Sequence, residues 1–218
     1  MAESEFSNQS KVLETHTTLR LLSDIERERF SSQRLFSVRL GIAVGLTNAY
    51  VKRCIKKGWI KMRRVPARRY AYYVTPKGFA EKSKLVAEYL TSSFEFFRIA
   101  RAQCLEILQD CERRGWRRVA LYGHGELVEI ATLAAGETSV ELVAVIAPGC
   151  NTPEFAGLPV VRDLGGVRDR DAVLIADIND PQAAFDELRD RLPEERILTP
   201  PLLHVSRNRA GATAGRRA

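Results

Sequence analysis

Nine basic side chains, Lys52, Arg53, Lys56, Lys57, Lys61, Arg63, Arg64, Arg68 and Arg69, fall within eighteen consecutive residues. Ammonium and guanidinium groups at this density are donors suited to phosphate oxygens. From Arg29 to Ala80 the chain carries thirteen Lys and Arg and no Asp or Glu. The formal charge of all 218 residues is +7, so the remainder sums to −6. Concentrating like charge in one segment opposes compaction by self-repulsion. A polyanion partner offsets that cost, and double-stranded DNA is the first expectation. A merely solvated basic face is the alternative.

A second constellation is Gly123-His124-Gly125-Glu126, directly after the apolar run Arg118–Tyr122. Glycines between a strand and a helix permit a tight turn and close backbone approach to a phosphate. His124 is then either a phosphate contact or an ordinary loop residue, and Glu126 is placed to cap the helix. Asp177 and Asn179 follow another apolar run, Ala172–Ala176, where open α/β sheets bind ligands. Two departures argue against NAD. Val128 occupies the third glycine position, and the second strand ends Ile146-Ala147-Pro148 without a ribose-binding acid. Tyr73 and Lys77 have a dehydrogenase-like spacing, but Pro76 lies between them. The four cysteines include no CxxC, and with three histidines they support neither a zinc site nor a disulfide framework. Cys104 and Cys111 suit a helix seam better than a redox pair. No nucleophile or acid/base pair emerges, so an enzyme is not expected.

The elements that must position these groups follow from periodicity. Val12, Leu19, Leu22 and Ile25 place a helix over 12–29. Ser31 or Ser32 caps a second, Gln33–Leu40, which Gly41 ends before the turn Ile42-Ala43. A third runs from about Gly45 to Lys57, with Leu46, Val51, Cys54 and Ile55 inward and Gly58 as its cap. Two short strands, Trp59–Met62 and Tyr70–Val74, flank a loop holding Arg63, Arg64, Arg68 and Arg69. A loop this basic reads as a wing for phosphates or the minor groove.

Ser32-Gln33-Arg34, Leu40-Gly41-Ile42-Ala43, Gly45-Leu46-Thr47-Asn48, Val51-Lys52-Arg53, Lys57-Gly58-Trp59-Ile60-Lys61 and Thr75-Pro76-Lys77-Gly78 together carry a family likeness. Over roughly 13–90 the chain resembles MarR-type winged helix-turn-helix transcriptional regulators, particularly the branch associated with exopolysaccharide gene clusters. The third helix is expected to present Thr47, Asn48 and Lys52 to base edges. For Thr47 or Asn48 a helix N-cap is the competing role. Arg53, Lys56, Arg63, Arg64, Arg68 and Arg69 are expected on phosphates, with Gln33 and Arg34 as a backbone clamp.

From Gly78 to Arg113 no proline and no interior glycine intervenes. Phe79, Ser83, Val86, Leu90, Ser93, Phe97, Ala100, Cys104, Ile107 and Cys111 step by fours and threes, a heptad seam. The expectation is a homodimer through this helix, with packing inside one chain as the alternative. Beyond Trp116 strands alternate with helices, which favours a parallel sheet covered by helices. The segment 119–200 resembles the small Rossmann-like domains of sugar acyltransferases and polysaccharide-biosynthesis dehydratases. That resemblance implies a nucleotide or nucleotide-sugar ligand; a nucleotide-sugar-related enzyme and a DNA-binding assembly protein with a ligand-free domain are the alternatives. The resulting organisation is α/β overall. It comprises a DNA-binding domain over 1–78, a linker and dimerisation helix over 79–114, a Rossmann-like effector domain over 115–205 and a disordered basic tail over 206–218. The polar, acidic start MAESEFSNQSK has no apolar signal core, and no membrane-spanning run exists, so the expected location is the cytoplasm.

Overall fold

A computed structural model describes the backbone of residues 2–28, 32–65 and 69–207, and the side chains of 14–28, 32–65 and 70–207. Arg68, Ser31 and the tail beyond 207 lie outside the described residues. The chain forms two compact units, Met1–Phe94 and Glu95–Ala218, and is α/β overall.

In the first unit, α1 (Ala2–Arg27) is followed by α2 (Gln33–Leu40), α3 (Val44–Lys56) and a hairpin of β1 (Ile60–Val65) and β2 (Arg69–Val74). Helix α1 starts ten residues before the apolar pattern at Val12, because its first turns carry no apolar face. Its buried stripe is Thr17, Thr18, Leu21, Leu22 and Ile25. Leu21, Leu22 and Ile25 pack with Phe36, Leu40, Val51, Cys54, Ile60, Tyr72 and Leu85 into one core. Phe36 and Tyr72 meet edge-on at 5.6 Å between ring centroids, the arrangement their quadrupoles prefer.

Glycine ends both helices that frame the turn. After α2, Gly41 lies at φ +68° and the N–H of Ile42 donates to the carbonyl of Ser37 at 3.1 Å. After α3, Gly58 lies at φ +74°, and the N–H groups of Gly58 and Trp59 return to the carbonyls of Ile55 and Cys54, each at 2.9 Å. Both are Schellman closures, which satisfy the last carbonyls and reverse the chain. Ser32 caps α2 by accepting from the N–H of Leu35 at 3.2 Å.

The last helix of this unit, α4 (Pro76–Arg113), spans 38 residues. Thr75 starts it: its Oγ1 accepts from the N–H of Gly78 at 3.0 Å and donates to the carbonyl of Gly58 at 2.6 Å. Gly78 sits so close to the wing that a Cβ there would lie 2.1 Å from the carbonyl oxygen of Trp59.

The second unit holds β3 (Arg118–Tyr122), α5 (Glu126–Ala135), β4 (Glu141–Ile146), β5 (Glu154–Phe155), β6 (Leu158–Val161), β7 (Ala172–Ile175), α6 (Pro181–Arg189) and β8 (Ile197–Leu198). The sheet order is β5-β6-β4-β3-β7-β8. All pairings are parallel except the β5–β6 hairpin, whose sequence gave no strand signal for β5. Counting only the parallel strands, the order is 3-2-1-4-5, and the winding reverses at β3. Because β4 and β8 lie in opposite directions, right-handed crossovers put α5 and α6 on opposite faces. The core contains Val119, Leu121, Leu127, Val128, Val145, Ile146, Leu174 and Phe185, together with Ala100, Cys104, Leu108 and Cys111 of α4.

The heptad seam of α4 therefore has two fates. Ala100, Cys104 and Cys111 are buried in the second unit, and Ile107 packs against that core. Phe79, Val86, Leu90 and Phe97 are exposed, with Phe94 beside them 61% exposed. A regular apolar period does not distinguish these cases, since both partners demand the same spacing.

Candidate nucleic-acid interface and ligand crevice

Helix α3 divides into two faces. Thr47, Val51 and Cys54 point into the core. Opposite them, Gly45, Ala49, Lys52 and Lys56 form an exposed stripe at steps of four and three, flanked by Arg53 and half-buried Asn48. This stripe is the exposed, basic face of α3.

Thr47 departs from the expected role. It is fully buried, and its hydroxyl donates to the carbonyl of Ala43 at 3.2 Å. No base edge reaches it there, and Ala43, not Thr47 or Asn48, occupies the cap position of α3. Ala49, which the sequence reading passed over, stands at the centre of the exposed stripe. Its methyl suits contact with a thymine methyl. The available signal was its spacing, four after Gly45 and opposite Val51.

Arg53 also differs from its neighbours. It forms an ion pair with Glu14 of α1, and its guanidinium lies 5.4 Å from the Tyr50 ring centroid. Lys52 and Lys56 are exposed without a counter-charge among the described residues. Gln33 is half-buried and Arg34 exposed at the start of α2, where an exposed helix N-terminus adds N–H donors for a phosphate.

The wing is longer in strand than expected. Arg63 pairs with Ala71 and Arg64 with Tyr70, so both belong to β1, and Arg69 opens β2 opposite Val65. Only three residues separate the strands. The alternation of a strand sends Arg63 and Arg64 to opposite faces, so they do not form one loop-tip cluster. Lys61, Arg63 and Arg64 are exposed.

In the second unit a crevice of about 360 Å³ opens at the carboxyl ends of β3, β4 and β7. It is lined by Gly123 and His124, the segment Ala147–Cys150, and Asp177. Gly125, Glu126 and Asn179 do not line it. The close approach falls at Gly123: at φ +130°, a Cβ there would lie 2.6 Å from the backbone nitrogen of Asp177. Gly125, at φ +115°, has open space around it. Gly125 also holds the N-cap position of α5, and Glu126 is simply the exposed first residue of that helix. His124 rests against Phe155, ring centroids 4.2 Å apart. Asp177 Oδ1 accepts from the N–H groups of Asn179 at 2.8 Å and Asp180 at 3.4 Å, which closes its loop. The contributions of residues 147–150 and Phe155 went unrecognised, since a loop after β4 and an unannounced hairpin leave no periodic trace.

Nearby, the Tyr122 hydroxyl donates to Glu187 Oε2 at 2.5 Å. Burial, then this bond, push its pKa well above the ordinary phenol range. Burial likewise pushes the thiols of Cys54 and Cys111 up to about 11 and Cys104 up to about 12. These thiols stay neutral near pH 7 and act as small apolar core groups. Among the described residues, no group of three or more His, Cys, Asp or Glu is placed to hold a metal, and no helix is long and apolar enough to cross a membrane.

Comparisons with known proteins agree with the first unit. The family model for winged helix-turn-helix DNA-binding domains matches residues 14–61. A solved zinc-responsive MarR family member, ZitR of Lactococcus lactis, is 18% identical at a TM-score of 0.31, over 38% of this chain and 60% of its own. The solved structure of PigF with SAH is 14% identical at a TM-score of 0.24, over 90% of this chain and 58% of its own. The chain thus spans about three-fifths of each of these solved chains. No curated protein matches it. The match covers the second half of α1, all of α2 and α3 and the start of β1, and with the β1–β2 hairpin that follows, the fold of the N-terminal unit is a winged helix-turn-helix.

Proposed function

We propose that this chain is a DNA-binding transcriptional regulator that acts as a homodimer. The observation that carries this is the two-faced α3: Thr47, Val51 and Cys54 anchor it, and Lys52, Lys56, Ala49 and Asn48 are left for a groove. The wing arginines and Arg34 supply backbone contacts, which give affinity without sequence information. Both sequence resemblances favour polysaccharide-related genes as its targets. The crevice of the second unit is its effector site, for which those resemblances imply a nucleotide-type ligand.

Selection of binding sites from random duplexes tests this reading. The expected product is a two-fold symmetric site with half-sites about 10–10.5 base pairs apart, one helical turn. Asn48→Ala costs about 1–3 kcal/mol of discrimination against the wrong base. Recovery of unrelated sequences from the selection refutes sequence-specific regulation.

The exposed part of the α4 seam is the proposed dimer surface. Leu90, Phe94 and Phe97, at steps of four and three, form one exposed apolar stripe, and contiguous apolar patches mark interaction surfaces. Leu90→Glu with Phe94→Glu yields monomers in sedimentation equilibrium and lowers operator affinity at least tenfold. Ile107 is unsuitable for this test because it packs on the second unit's core. If the double variant remains dimeric, the stripe is not the interface.

A further inference from the structure

The crevice in the second unit is built for a ligand with less negative charge than a nucleotide carries. None of its lining residues is Lys or Arg. Arg162 follows β6 directly but is exposed and does not line it. The first turn of α5 holds Glu126 and Glu129. A helix N-terminus attracts anions through its partial positive charge, and here two carboxylates already answer that charge. Asp177 adds a third carboxylate within the lining. A pyrophosphate in this place meets like charge at close range and no cation to offset it.

Other features favour a flat ring bearing hydroxyls. The turn of the β5–β6 hairpin uses positive φ at both Ala156 (+51°) and Gly157 (+78°). That hairpin sets Phe155 against His124 with 36° between the ring planes, so Phe155 backs the His124 ring, which lines the crevice. Asp177 is oriented by the two N–H groups on Oδ1. Its Oδ2 has no hydrogen-bond partner among the described residues and is an acceptor for hydroxyl groups. A volume of about 360 Å³ is at the small end of ligand pockets, and matches one nucleoside better than a dinucleotide.

We infer that the crevice binds a nucleoside that is uncharged or cationic, its base against the His124 ring that Phe155 holds in place and its ribose hydroxyls donating to Asp177. The inference rests on the reading of this crevice as the effector site and replaces the phosphate-bearing ligand class given there with an unphosphorylated one.

Isothermal titration calorimetry on the full chain tests it, with adenosine, guanosine, cytidine and uridine, each beside its mono- and diphosphate, and with cationic S-adenosylmethionine. For at least one base the unphosphorylated or cationic form binds at least tenfold tighter than its phosphates. Asp177→Asn keeps the Oδ1 acceptor that closes the loop, yet weakens that binding at least tenfold. Phe155→Ala weakens it to a similar extent, and circular dichroism verifies that both variants are folded. Tighter binding of the phosphates overturns the inference and leaves the effector site standing. Heat from none of the probes removes both. Nucleoside binding indifferent to both substitutions places the ligand elsewhere and overturns the inference as well.

Discussion

Raising monovalent salt from 50 to 200 mM weakens the binding of each head to a duplex by about a thousandfold. Counterion release gives a slope of about −0.9 per phosphate neutralised, and about six contacts are available in one head. The groups are Arg34, Lys52, Lys56, Lys61, Arg63 and Arg64, all exposed. The structure ranks them against a neighbour of identical formal charge. Arg53 is paired with Glu14, so it brings a counter-charge to the interface and releases little. Lys56→Ala therefore flattens the log–log slope by about one, whereas Arg53→Ala changes it by much less. Fluorescence anisotropy over a salt series measures both. A slope near zero removes the phosphate interface, and equal effects of the two substitutions remove the ranking.

Gly123→Ala destabilises the second unit by about 2–5 kcal/mol. The new Cβ lies 2.6 Å from the Asp177 nitrogen and 2.8 Å from the Ala176 carbonyl carbon, and backbone atoms of a neighbouring strand end do not yield as a flexible side chain does. Overpacking of about 1–3 kcal/mol adds to the strain of holding a non-glycine residue at φ +130°. Gly78→Ala has an equal or larger effect in the first unit, because its Cβ meets the Trp59 carbonyl oxygen at 2.1 Å and Val74 Cγ1 at 2.9 Å. The two tryptophans, Trp59 and Trp116, fall one in each unit. Urea unfolding of single-tryptophan variants therefore assigns each loss to its unit. Gly125→Ala serves as the control. It has nothing within 4 Å and costs only backbone strain, about 1–3 kcal/mol. Equal losses for Gly123→Ala and Gly125→Ala refute the close-approach account.

The sequence alone determined those features whose causes lie within a few residues. Glycines at 41 and 58 ended their helices because only a left-handed residue closes the last turn without strain. The alternation of strand and helix beyond Trp116 implied the parallel sheet, and the acid-free run from Arg29 to Ala80 marked the basic face. All of these are local periods or local backbone preferences.

Tertiary structure decided what depends on partners far along the chain. Whether Thr47 faces a groove or a core turns on where α1 and α2 pack, and it is the core. Whether Arg53 is free turns on Glu14, thirty-nine residues away. The α4 seam reads as one stripe, yet half of it belongs to the sheet of the second unit, because burial is set by which surface arrives opposite and not by the spacing. The crevice is the clearest case. Gly123, the loop after β4 and Asp177 converge only because the sheet order sets β3 between β4 and β7, and no pattern within any one segment encodes that neighbourhood.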